Sequence, residues 1–252
     1  SSRNINDNAN FLCLFFCQPS FKMASNEFRI ALQMRMFLPV SGHIEGATCN
    51  CKNKPSLDAT GHHLASQCPK RRTSTDAHDA IKYATSELMK YGGIDTRVEA
   101  GNLFDNRLRP DLFALRGNGQ NRGEAYDVSG VTTLHRHTLN GGHLQAQGSF
   151  RMPTNAELEG PTGCGRASRS KNIEKIEKYQ AVCNRHGFSF KPLVFESSGY
   201  LHKDFREFLK SIAQNASEVK KIPHDTLYNY FLKKLSMTMQ TSFAQNVIKS
   251  TF

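Results

Sequence analysis

The sequence lacks any apolar run near the ~18 residues that a membrane-spanning helix needs. The stretch Phe11 to Phe16 (FLCLFF) is too short to span, and it lacks the basic start and small-residue cleavage site of a secretory leader. No segment repeats, which argues against solenoid and array folds. No glycine-rich loop ends in Lys-Ser/Thr, so a P-loop nucleotide hydrolase is excluded. Acidic charge is in deficit: 22 Asp+Glu stand against 33 Lys+Arg, a formal net charge of +11. A surplus of that size favours a polyanionic partner, with nucleic acid first. The seven cysteines are odd in number and make no disulfide framework: three cluster near a histidine, while Cys13, Cys17, Cys164 and Cys183 are scattered. That usage points to a reducing, intracellular compartment and to a metal. Cys164 and Cys183 have no identifiable base and orienting acid, which argues against a cysteine hydrolase.

At 252 residues the chain is long enough for a real core. Residues 1–24 read as a disordered or extraneous extension. A helix is predicted from Ser25, with Ser25 as its cap and Phe28, Leu32 and Met36 on one face, ending at Pro39 and Gly42. With the Cys-, His- and Lys-rich stretch after it, this helix forms a small module over residues 25–75. A second helix, Asp76 to Tyr91, places Ile81, Ala84, Leu88 and Tyr91 on one face, and Gly92-Gly93 closes it. Short strands follow at Thr96 to Ala100, Asp111 to Leu115 and Ala125 to Thr132, the last two joined as a hairpin by a Gly/Asn-rich turn over 117–123. Residues 133–170 read as a long loop containing His135, His137 and His143. A helix from Lys171 to about His186, a strand from Ser189 to Glu196, and helices over His202 to Ala213 and Pro223 to Lys249 complete an α/β domain spanning 76–252. The last helix carries Leu227, Phe231, Leu235, Phe243 and Val247 near one stripe.

Metal-assisted cleavage of a phosphodiester needs hard oxygen ligands for Mg²⁺ or Mn²⁺ and a cation to balance phosphate charge. Asp111 starts one hairpin strand and Asp127 lies inside its neighbour, so the two carboxylates can meet across the sheet. Two acids in a sheet repel one another unless a cation joins them, and Asp127 sits among core-like valines where an unpartnered acid would be costly. Glu99, at the end of the preceding strand, is a further ligand or water-positioning base. A textual Asp-x-Lys is absent, because Ser129 stands two residues after Asp127. On the helix from Lys171, an apolar stripe of Ile173, Ile176, Tyr179 and Cys183 has Lys175 at its border, able to bury its stem and present its ammonium to the acids. The competing reading of such lysines is a solvated basic face. His78 is a weaker candidate, as is Glu196, which either borders the site or is simply exposed.

Cys49-x-Cys51, His63 after eleven residues and Cys68 after four more supply a Cys₃His set. Three thiolates and an imidazole suit tetrahedral Zn²⁺. His63 is favoured over the adjacent His62 by its His-x₄-Cys spacing. The alternative is free cysteines in a loop. Lys52, Lys54, Lys70, Arg71 and Arg72 surround the cluster and would offer nucleic acid a basic surface.

Arg109-Pro110-Asp111 followed by Asp127-Val128-Ser129 resembles the PD-(D/E)XK, restriction-endonuclease-like superfamily. More narrowly, the order of motifs over residues 26–252 resembles the endonuclease-like region that follows the reverse transcriptase in some non-LTR retrotransposons. The shared features run from Glu27-Phe28-Arg29 and the Cys/His cluster through His78, Glu99, Asp111 and Asp127 to Lys175, Lys178-Tyr179, Phe190, Pro192 and Glu196. The resemblance implies a mixed sheet flanked by helices behind a zinc-stapled N-terminal module, DNA or RNA as partner, and a nuclear site of action. It implies catalysis by Glu99, Asp111, Asp127 and Lys175, with Mg²⁺ or Mn²⁺ on Asp111 and Asp127. The missing Asp-x-Lys and the 133–170 segment depart from the pattern. The rival expectation is a nuclease-derived module that grips nucleic acid without cutting it.

Overall fold

The structure, a computed structural model, describes residues 22–36, 38–41, 44–71, 73–101, 103–104, 108–115, 123–131, 165–197 and 199–251. The N-terminal extension up to residue 21, residues 116–122 with most of the turn expected over 117–123, and residues 132–164 with His135, His137, His143 and Cys164 lie outside the described residues, as do Arg72 and the side chain of Arg71.

Helix α1 (Ser25–Arg35) opens with the Ala24 N–H donating to the Glu27 carboxylate at 3.1 Å. Ser25 is thus the first helical residue and not the cap; a carboxylate three positions on serves that end. Its buried residues are Ile30 and Ala31, whereas Met36 is exposed. Helix α2 (Thr73–Tyr91) starts three residues earlier than the periodicity predicts. The buried Thr73 hydroxyl ties that start to the Cys68 backbone, where Cys68 N–H donates to Thr73 Oγ1 at 3.1 Å.

Strands β1 (Thr96–Val98), β2 (Leu112–Leu115), β3 (Gly123–Val131) and β4 (Phe188–Glu196) form one sheet in the order β1-β2-β3-β4. The first three run antiparallel, and β4 lies parallel to β3. A parallel neighbour requires a crossover, and helix α3 (Arg166–Arg185) lies in it. It begins five residues before the predicted start, so the end of the expected 133–170 loop is helical. Gly165, at φ 89°, precedes it, and Glu196 from the end of β4 accepts the Ser168 N–H of the first turn at 3.1 Å. Glu196 is fully buried by this helix-end contact, which corrects the option that it is exposed.

The side-chain alternation of the strands sorts the core. Leu112, Ala114, Tyr126, Val128, Leu193 and Phe195 pack with α2, α4 (Lys203–Lys220) and α5 (His224–Thr251). Phe113, Ala125 and Phe190 face the other way, onto Tyr179, Val182 and Cys183 of α3. The predicted stripe of α5 is buried at every position from Leu227 to Val247. The same large cluster takes in Ile30, Cys49, Cys51, Leu64 and Cys68, so the N-terminal segment shares the core of the sheet. The result is an α/β fold with a four-stranded mixed sheet flanked by helices. Among the described residues, no helix is long and apolar enough to cross a membrane.

Candidate functional site

The sheet register aligns the three acids. Val98 pairs with Leu112, and Leu112 with Tyr126. One residue further along, Glu99, Asp111 and Asp127 therefore stand in a single row across β1, β2 and β3. The Glu99 N–H donates to the Asp111 carbonyl at 2.8 Å, continuing the ladder through that row.

Asp127 is 3% exposed and shares the face of Ala125 that looks onto α3. Its Oδ2 receives the Ser129 hydroxyl at 2.7 Å and lies 2.8 Å from Lys175 Nζ. A buried carboxylate is tolerable only with such partners. The buried face of α3 is Ser168, Asn172, Tyr179, Val182 and Cys183, whereas Ile173 and Ile176 are exposed. The predicted apolar stripe is thus rotated: Lys175 lies among the inward positions, and the two isoleucines lie outside. At the rotation that packs Tyr179, Val182 and Cys183 into the second core, Lys175 faces the Asp127 carboxylate.

Asp111 sits in the bend before β2, and its Oδ2 accepts both the Val128 N–H at 2.8 Å and a bond from His78 Nε2 at 3.1 Å. His78 Nδ1 is 3.1 Å from Asp79 Oδ1, which also receives Lys82 Nζ at 2.8 Å. Lys82 is 1% exposed and donates a second bond, 2.6 Å, to Glu99 Oε1. Glu99 leaves the strand with φ 50°, which turns its carboxylate toward Lys82 and toward Arg109, 3.4 Å away. Burial disfavours the protonated form of His78, but the bond and charge of Asp111, and then of Asp79, outweigh it and raise its pKa. Burial likewise works against charged Lys82, and its two carboxylates outweigh that. For Tyr179, burial and then the charge of Asp127 both push the phenol pKa up. Its hydroxyl donates to the Arg109 carbonyl at 3.3 Å.

A cavity of about 1030 Å³ opens beside this row, along the carboxyl-terminal half of β3. Asp111, Asp127, Lys175, His78 and Arg109 line it, together with Lys171 and the hydroxyls of Ser74, Thr75 and Ser129. The structure therefore brings Asp111, Asp127 and Lys175 to one cavity, whereas the Glu99 carboxylate is engaged by Lys82 and Arg109.

The second constellation is Cys49, Cys51, His63 and Cys68, whose ligand atoms all lie within 4.8 Å of one another. Cys49 Sγ is 3.7 Å from Cys68 Sγ, and Cys51 Sγ is 3.6 Å from His63 Nε2. His63, and not His62, supplies the imidazole. The three cysteines are buried and His63 is partly buried, so the group can hold a metal ion, and its donors suit structural Zn²⁺. Burial lowers the pKa of His63 despite the charge of Asp58, which favours the neutral imidazole a metal requires. Burial also pushes the Cys49 thiol up to about 11. Binding a cation there would release protons. Lys52, Lys54 and Lys70 are exposed around the cluster.

Asp79 and Lys82 were not legible as site residues. Their i, i+3 spacing is visible in the sequence, but such a pair usually marks a solvated helix face. Only the contact with Glu99, seventeen positions away, turns Lys82 into a buried bridge. Ser129 has a clearer signal: it stands two residues after Asp127 on the same strand face and bonds it. No known protein family matches the sequence, and no curated protein matches it.

Proposed function

We propose that the chain is a restriction-endonuclease-like domain, of the PD-(D/E)XK kind carried by retroelements, that hydrolyses DNA phosphodiester bonds with Mg²⁺ or Mn²⁺. One observation carries this reading: Asp111 and Asp127 are adjacent in register and line one cavity, with Lys175 ion-paired to Asp127. The order helix, strand, hairpin, helix, strand, with β4 parallel to β3, supports the resemblance. Lys175, reaching in from α3, stands in for the lysine missing after Asp127.

The donors fit a hard cation. Both are carboxylates, and Asp111 engages His78 and Val128 through Oδ2, leaving Oδ1 for the ion. When bound, such an ion polarises the scissile phosphate and lowers the pKa of its water. The remaining work falls to the chain. His78 and the Val128 N–H fix the orientation of Asp111, and Ser129 fixes that of Asp127. Lys175 and Lys171 bring positive charge to the cavity, where a phosphate gains negative charge in the transition state. A DNA substrate would place the protein in the nucleus. Lys52, Lys54 and Lys70 would extend the contact along the strand.

The second reading is a nucleic-acid-binding module that no longer cuts. It is favoured by the internal pairing of both acids: Lys175 partners Asp127 and His78 partners Asp111, so each carboxylate has a cationic or proton-donating neighbour without a metal. Plasmid incubated with purified protein and Mg²⁺ or Mn²⁺ separates the two. Nicking or linearisation that disappears in Asp127→Ala supports the enzyme; intact plasmid with both proteins, alongside retained binding, rules it out in favour of the module.

A further inference from the structure

Glu99 and Arg109 belong to a chain of contacts that ends at the cavity wall. Lys82 is its buried anchor, with one ammonium held by two carboxylates, Asp79 at 2.8 Å and Glu99 at 2.6 Å. Desolvating a lysine is costly, and two hydrogen-bonded carboxylates offset that cost while fixing the position of both. Glu99 Oε1 is thereby tied to the core, and its Oε2 faces the Arg109 guanidinium at 3.4 Å. The exposed Arg109–Glu99 pair would stabilise the fold little by itself. Its consequence is geometric, because Arg109 lines the cavity two residues before Asp111 and keeps 58% of its side chain open to solvent. The backbone here is also held. Tyr179 bonds the Arg109 carbonyl, Pro110 is buried with its φ restricted by the ring, and Glu99 N–H bonds the Asp111 carbonyl.

An exposed guanidinium in the lining of a cavity that also holds three acids, Asp111, Asp127 and Glu174, has a restricted range of partners. It cannot serve a cationic ligand. Its planar donors match a phosphate, and Glu99 occupies only part of the fork. We propose that Arg109 contacts a backbone phosphate of the bound strand, and that Glu99, anchored by Lys82, is a positioning residue for Arg109 and not a metal ligand. This rests on the reading of the cavity as a nucleic-acid site, and it adds a phosphate contact that operates before any metal is bound.

The test measures binding apart from cleavage. A fluorescein-labelled DNA oligonucleotide is titrated with the full chain by anisotropy, without added Mg²⁺ or Mn²⁺ and without chelator, over a series of salt concentrations. Each phosphate contact contributes about 0.7 to 0.9 to the slope of log affinity against log salt. Arg109→Ala, an exposed position that leaves the core intact, should lose one such increment and bind severalfold more weakly. Glu99→Ala should reproduce much of that loss, with Glu99→Gln intermediate, and the double variant should be no worse than Arg109→Ala. Thermal melts of each variant establish that it is folded. An unchanged slope in Arg109→Ala, or no binding by the parent chain, overturns the proposal. So does a Glu99→Ala variant that binds normally but loses metal-dependent cleavage, which would make Glu99 a ligand after all. Altered slopes with no cleavage by the parent chain would remove the nuclease reading and leave this contact standing.

Discussion

Lys175 reaches Asp127 from a different element of the fold, Nζ to Oδ2 at 2.8 Å, with the two side chains 14% and 5% exposed. Lys82 makes the same kind of bond, but to carboxylates that are about 40% exposed, Asp79 and Glu99. The difference in partner burial decides what removal of each ammonium costs.

For Lys175→Met the expectation is a loss of about 3 kcal/mol, because a buried carboxylate is left without its cation. Adding Asp127→Asn to that variant should recover part of the loss, since the buried charge is then gone. Urea melts of the two single variants and the double variant give the coupling directly. Strict additivity would mean that the pair is not energetically coupled.

Lys82→Met should cost less than Lys175→Met, despite the deeper burial of Lys82. Water can reach Asp79 and Glu99 once the ammonium is removed, and methionine fills the space of the buried stem beside Ile81. The expected loss is under about 2 kcal/mol. A loss as large as that of Lys175→Met would show that the two carboxylates are less accessible in solution than this geometry implies.

Acid should destabilise the fold partly through His202. This residue caps α4 by accepting the Asp204 N–H on Nδ1, and burial holds its pKa below the ordinary value despite the charge of Asp204. A depressed folded-state pKa means that its contribution is present above the unfolded value near 6.5 and is lost as pH falls through the folded value. His78 has the opposite sign, so the effect is best read as a difference. Between pH 7.5 and 5, the parent chain should lose stability relative to His202→Asn, which keeps a capping oxygen without titrating. Parallel pH profiles for the two proteins would count against the assignment.

Purified under reducing conditions, the protein should carry one Zn²⁺ per chain, and Cys68→Ser should lower that stoichiometry. Cys68 is fully buried and bonds Thr73 at the start of α2, so metal loss should also cut the melting temperature, a change visible by circular dichroism with and without a strong chelator. Full occupancy in Cys68→Ser would remove this cysteine from the ligand set.

Much of the candidate site was legible because its spacing is local. Cys49-x-Cys51 and His63-x₄-Cys68 place ligands within a short stretch of chain, and the structure gathers all four. Asp111 precedes β2 and Asp127 lies in β3, and the antiparallel pairing of these two strands, neighbours in sequence, brings the two acids level. Helix and strand positions followed from hydrophobic period, but their ends did not: α4 runs past the expected Ala213 to Lys220, and some starts moved where a distant group completed them. Glu196 meeting the first turn of α3 is one such case, and Thr73 meeting Cys68 is another.

What the sequence determined alone is the chemistry on offer: a basic chain, a Cys₃His set able to take a metal, and acids in or beside short strands. Only the tertiary structure decided who partners whom. It rotated α3 so that Lys175 lies inward beside the buried Asp127 and Ile173 and Ile176 lie outward, with Tyr179, Val182 and Cys183 packed in the second core. It also turned Glu99 out of the row of acids toward Lys82 and Arg109. Those partners lie seventeen and ten positions away, on other elements, and no local period encodes a charge balance reached only when helix and sheet pack together.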